Sequence, residues 1–152
     1  MIIMEGICNI KKGRVKGFIL LKDTKRGCKI DVQLRNVKEG YHGFHIHQFG
    51  DLRDGCNSLG SHYNPHFQNH GGIDNKHRHK GDLGNIYANK KEIVNHTMYA
   101  KNLKVKELLG RSFIIHDKKD DLGKGGDKES LKTGNAGKRI ACGVIGLKNI
   151  FI

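Results

Sequence analysis

The chain has 152 residues, 36% hydrophobic and 28% charged, with 21 Gly, one Pro and no Trp, a length that suits one domain spanning residues 1–152. No apolar run approaches the ~20 residues that a membrane helix needs, which excludes an integral membrane protein, and the opening MIIMEGICNI lacks a basic leader, so a cytoplasmic location is expected. The net charge of +13 attracts anions in general. With 21 Lys against 7 Arg, an AT-rich coding sequence explains it more simply than nucleic-acid binding, for which a clustered aromatic and basic strand face is missing.

In chain order, Ile3 to Ile10, Val15 to Leu21 and Lys29 to Val37 read as short strands closed by the turn signals KKGR, DTKRG and KEG. In the third, Ile30, Val32 and Leu34 share one face. His42 to Gln48 continues as a fourth strand, and strands resume at Gly84–Ala88, Ile93–Ala100, Arg111–His116 and Ala141–Leu147. Eight short strands without a convincing helical period predict an all-β antiparallel sandwich or barrel. Residues 49–83 and 117–139 break the pattern as long, polar, Gly-rich loops. By composition the second reads as disordered, whereas the first carries too many metal-binding side chains for that.

His45-Ile46-His47 places two imidazoles on one face of a strand, with Cα atoms ~6.7 Å apart, and turns Ile46 to the core. Alone, such a pair is as easily incidental. His62, His70, His79 and Asp82 follow within one loop, and three imidazoles with one carboxylate form a closed tetrahedral set suited to structural zinc. The competing reading is a solvated His-rich loop, to which His66 and His77 would belong. His116, at the end of an apolar strand, joins His45 and His47 as a candidate all-nitrogen site of the kind that suits copper. No two of Cys8, Cys28, Cys56 and Cys142 have zinc-finger spacing.

GFHIHQFGD (43–51), GCNSLGSHYNP (55–65), NHGG (69–72), RHKGDLGN (78–85) and the segment 116–146, with its TGNAGKR, resemble copper/zinc superoxide dismutase. The resemblance covers essentially the whole chain, more loosely in the first forty residues. It implies an eight-stranded Greek-key barrel with two long functional loops, and copper-based dismutation of superoxide to dioxygen and hydrogen peroxide. His45, His47, His62 and His116 match the copper ligands. His62, His70, His79 and Asp82 match the zinc ligands, His62 being common to both. Asp120 matches the carboxylate linking His45 to His70. Arg139 matches the guanidinium that receives the anion, Thr133 the residue opposite it, and Lys132 and Glu129 the charged channel rim.

The resemblance also implies a Cys56–Cys142 disulfide, which leaves Cys8 and Cys28 as packing thiols. Gln48, Lys119, Lys128, His66 and His77 depart from the family pattern without removing a ligand. The expected partners are superoxide, a second copy of the chain and a copper chaperone. Pairing would use Phe49-Gly50, Leu109-Gly110 and the tail Val144 to Ile152. The alternative is a copper-free, zinc-binding homologue serving as metal buffer or decoy.

Overall fold

A computed structural model describes residues 3–152 of the chain. Eight strands form in the order β1 (Glu5–Lys12), β2 (Val15–Thr24), β3 (Gly27–Arg35), β4 (Gly40–His47), β5 (Asp82–Ala88), β6 (Ile93–Ala100), β7 (Ser112–His116) and β8 (Arg139–Leu147). All pair antiparallel in the spatial order β5-β4-β7-β8-β1-β2-β3-β6, an almost closed barrel. The expected strands are all present, with ends displaced by a few residues. One helical turn, α1 (Val105–Leu108), was not expected. It buries only Val105 and Leu108, too little sequence to reveal a helical period.

Alternation explains most of the barrel. Along β3, Cys28, Ile30, Val32 and Leu34 point inward while their neighbours face outward, and Val15, Ile19 and Leu21 do the same on β2. Phe44 of β4 stacks on Phe113 of β7, with ring centroids 5.1 Å apart, and Ile46 is fully enclosed. Ile114, on the other face of β7, packs with Cys56, Leu59 and Cys142 in a smaller cluster. There Cys56 and Cys142 form a disulfide across a sequence separation of 86. A loop of that length contributes roughly 4–5 kcal/mol in the chain-entropy account.

Strand β4 departs from alternation in the way that matters for function, since every residue from His42 to His47 is buried. One face meets the core. The other is roofed by the two long loops. Tyr63 donates its backbone N–H to Ile46 O (2.8 Å) and Gln48 donates to Ser61 O (3.0 Å), so the first loop runs alongside β4. Gly43 has to lack a side chain, because a Cβ there would stand 2.6 Å from Ala136 Cβ in the second loop.

That second loop is not the disordered segment its composition suggests. The side chain of Asp121 accepts from Ser130 Oγ (2.7 Å) and Asn135 Nδ2 (2.8 Å), and its backbone N–H donates to Gly134 O (2.9 Å). Polar residues here serve as internal ties, and composition cannot distinguish ties from solvated side chains.

His42 of β4 joins the end of β7 to the connection that precedes β4. Its Nδ1 lies 2.6 Å from His116 O and its Nε2 2.7 Å from Lys38 O, in a side chain only 3% exposed. His42→Leu would leave both carbonyls without this partner inside the protein. The expected loss is about 2–4 kcal/mol, read as a lower urea midpoint at unchanged m-value; an unaltered midpoint would show that the clamp is dispensable.

Candidate metal centre

On the roofed face of β4, His45 and His47 lie beside His62 of the first loop and His116 at the end of β7. Ligand atoms of these four residues fall within 4.8 Å of one another, and all four side chains are buried. A bridge-like pairing of His47 with His62 fixes the loop residue opposite the strand residue. For three of them one ring nitrogen is committed: His45 Nε2 to Asp120 Oδ2 (2.6 Å), His47 Nδ1 to Gly60 O (2.9 Å), His116 Nδ1 to Gly137 O (3.1 Å). Each partner is an acceptor, so that nitrogen carries the proton and the other keeps its lone pair. The other nitrogens, His45 Nδ1, His47 Nε2 and His116 Nε2, are buried without any hydrogen-bond partner. Buried polar atoms are rarely left so, and three converging lone pairs constitute a cation site.

A second set lies on the far side of His62. His62 Nδ1, His70 Nδ1 and His79 Nδ1 stand 2.9, 2.9 and 3.1 Å from Asp82 Oδ1, and His62 Nδ1 is 3.1 Å from His79 Nδ1. Four bonds of about 2.0–2.1 Å to one zinc ion place neighbouring ligand atoms roughly 3.3 Å apart. The separations are close to that edge. His70 Nδ1 approaches Asp82 without hydrogen-bond geometry and is itself unpartnered, as a ligand atom would be. His45 also comes within 4.8 Å of His62, His70 and Asp82. Its Nε2 is taken by Asp120 and its one free nitrogen stands in the first set, which leaves His79 as the fourth member here.

Outer contacts hold both sets. Asp120, fully buried, accepts from His45 Nε2 at one oxygen and from His70 Nε2 (2.8 Å) at the other, and so spans the two sites. Its own backbone N–H donates to Asn85 Oδ1 (2.7 Å) on β5. Asp82 Oδ2 accepts the N–H groups of Gly71 (3.0 Å) and His79 (2.9 Å). Arg78 donates to the carbonyls of His79, Lys80 and Asp82 at 2.9, 3.1 and 3.0 Å and pins the turn that presents His79 and Asp82. A side chain at Gly134 would collide with Asp120 Oδ1 and His70 Nε2. Neither Asn85 nor Gly134 carried a spacing signal of its own.

Protonation follows burial and neighbours. Burial, reinforced by the other imidazoles, holds His45 and His47 well below the usual histidine range. Burial pushes His116 down to about 4. Burial also lowers His62, although Asp82 opposes it. Burial works against the charge on His70 too, but the carboxylates of Asp120 and Asp82 prevail and raise it to about 9. Burial tends to raise Asp82, yet its contacts with His62, His70 and His79 hold it far below the carboxylate range. The first set is therefore neutral and ready to ligate at neutral pH, and the second balances a carboxylate against positive charge.

A channel of about 880 Å³ opens onto the first set, lined among others by His47, His62, His116, Thr133 and Arg139. Arg139 donates to Cys56 O (2.8 Å) and Gly60 O (2.7 Å), which aims the guanidinium from the disulfide loop. Thr133 Oγ donates to Glu129 Oε1 (2.9 Å), and Glu129 and Lys132 lie on the rim. Lys118 and Gln48 line the channel as well, whereas Lys119 lies over the Tyr41 ring (5.0 Å) and neither it nor Lys128 reaches the lining. His77 contacts Gln68 Oε1 (3.2 Å), and neither it nor His66 belongs to a metal-binding group among the described residues.

An antiparallel barrel carrying two adjoining, buried, imidazole-rich sites defines a dinuclear metalloprotein. The copper/zinc superoxide dismutase (SODC) family model matches residues 15–145. Superoxide dismutase [Cu-Zn] 5 of Dictyostelium discoideum is 45% identical over 97% of this chain and 100% of its own length. The copper chaperone for superoxide dismutase of Homo sapiens is 44% identical over 88% of this chain and 49% of its own. The crystal structure of the clock protein EA4 superposes with a TM-score of 0.92 at 34% identity, covering 95% of each chain. This chain belongs to the copper/zinc superoxide dismutase family; its activity is dismutation of superoxide, and copper and zinc are its cofactors.

The buried Asp120 carboxylate is the shared support of the two sites. Asp120→Ala should weaken zinc retention about 10–100-fold, measured by competition with a chelator, and retention equal to the unaltered protein would contradict that role.

Proposed function

We propose that His45, His47, His62 and His116 hold copper, that His62, His70, His79 and Asp82 hold zinc, and that Arg139 receives superoxide at the channel floor. The observation that carries the assignment is the set of buried, unpartnered nitrogens at His45, His47 and His116. Copper, when bound, supplies one-electron chemistry in both directions, which zinc cannot. A zinc-only buffer or decoy would have no use for the neutral imidazoles at the foot of the channel.

The chain does the rest. His47 and His116 orient their free nitrogens through the Gly60 and Gly137 carbonyls, and Asp120 does so for His45. His62 faces both sets. With Nδ1 kept on the Asp82 side, the ring stays oriented, and Nε2 is the atom left to ligate copper or, when released from it, to carry a proton. Arg139 and Lys132 provide positive charge along the approach, which favours a small anion over neutral competitors. Buried walls keep that field from being fully screened.

The proposal extends to a homodimer. Phe49 is 54% exposed, and Leu147, Phe151 and Ile152 of the tail are exposed as well. Gly50 lies close against the Gly110 backbone, while Leu109 packs partly on the barrel core and contributes less surface. The likeness to a copper chaperone supports a family context in which copper is delivered by a partner protein. A cytoplasmic setting is part of the proposal and makes the Cys56–Cys142 bond an exception to the rarity of disulfides there.

His62→Ala should keep some zinc on His70, His79 and Asp82 yet lose copper affinity and activity. Metal analysis beside a superoxide assay reads both, and full activity with both metals at normal occupancy would overturn the shared-ligand assignment. Arg139→Glu should lose more activity than Arg139→Ala, and activity of the unaltered protein should decline modestly as salt shortens the ~8–10 Å screening length. A flat salt response, with equal rates in both variants, would remove Arg139 from the anion path.

A further inference from the structure

Strands β5 and β6 stand at the two ends of the strand order. Their connecting turn is closed by Asn89 N–H donating to Ile93 O (3.0 Å), and no ladder joins them beyond it among the described residues. Away from the turn, the seam opens into a groove of about 870 Å³ that shares no lining residue with the metal channel. The volume suits a small ligand.

The groove has two chemistries. Its floor is apolar: Leu83 of β5, Met98 of β6, and Ile73 and Leu122 from the two long loops. Its rim is cationic, and the cations are not equivalent. Lys80 is paired with Glu107 (2.9 Å), and Arg78 is spent on three backbone carbonyls. Lys76, Lys101 and Lys124 have no carboxylate within ion-pair distance among the described residues, and Asp74 is the one acid in the lining. Tyr99, with the Arg26 guanidinium 4.2 Å from its ring centre, adds an aromatic wall.

Lys76, Lys101 and Lys124 are exposed and line the one groove, so an anion entering it meets three positive charges that no carboxylate pairs among the described residues. A simple polyanion would satisfy the rim and leave the apolar floor wet. A neutral apolar molecule would cover the floor and leave the rim as it was. We propose that this groove is a second ligand site, distinct from the metal centre, for a small amphipathic anion with an aryl or alkyl body and a phosphate, sulfate or carboxylate head. The head would sit among Lys76, Lys101 and Lys124, and the body over Met98, Leu122 and Ile73.

The test is a fluorescence titration of the metal-loaded, full-length protein with 2-naphthyl phosphate. Inorganic phosphate, tripolyphosphate and 2-naphthol serve as competitors. One saturable site is expected, with each competitor about tenfold weaker or more, because each offers half of the interaction. Lys101→Glu with Lys124→Glu should weaken binding by about tenfold or more, at unchanged melting temperature and superoxide turnover. The milder Lys101→Gln/Lys124→Gln pair should fall between the two. Arg139→Ala, at a residue that does not line the groove, should leave the affinity unchanged. Absence of saturable binding, phosphate or tripolyphosphate binding as tightly as the aryl ester, or loss of binding in Arg139→Ala would overturn the proposal.

Discussion

Six imidazoles and one carboxylate converge in one buried cluster, and the rest of the molecule is organised around that convergence. Lone pairs turned toward one another in a buried site are unfavourable unless a cation, a proton or a metal ion, occupies the centre. The barrel supplies rigidity on one side of this arrangement through β4 and β7. The two loops supply His62, His70, His79 and the lid, and the disulfide ties the first loop to β8 of the barrel. Ions bound at the proposed ligands would therefore couple metal binding to loop order, the ions holding the loops and the loops shielding the ions.

Much of this was legible in the chain. The β3 alternation and the His-Ile-His of β4 carry their meaning locally, because strand geometry alone sends Ile46 inward and the flanking imidazoles outward. His116 could be placed at the edge of the same site by its position at the end of an apolar strand. The sharing of His62 came from the family resemblance, since no spacing rule says that a loop residue will lie against β4. What composition hid was the set of long-range ties: Asn85 to Asp120 across 35 residues and His42 to the His116 carbonyl across 74. The order of the second loop is hidden in the sequence for the same reason. Asp121, Ser130 and Asn135 look like solvated residues until the backbone folds them onto one another.

The positive charge separates into parts with different consequences. Arg139 has its guanidinium aimed by two carbonyls and bears directly on the channel, and Lys132 adds to the approach. Lys119 and Lys128 do not reach the channel lining, so they act on the general field of the surface. Lys76, Lys101 and Lys124 surround a different cavity altogether. A formal charge of +13 is therefore a poor description of what an approaching anion meets; the placement of individual cations decides it.

The central claim is that one ring, His62, stands between two different metal ions. Anomalous diffraction at the copper and zinc edges, from crystals of the oxidised, fully loaded protein, tests it most directly. The account predicts a copper peak against His45 Nδ1, His47 Nε2 and His116 Nε2, a zinc peak among His70, His79 and Asp82, and the His62 ring between them. A single ion, or either metal bound away from His62, would contradict it.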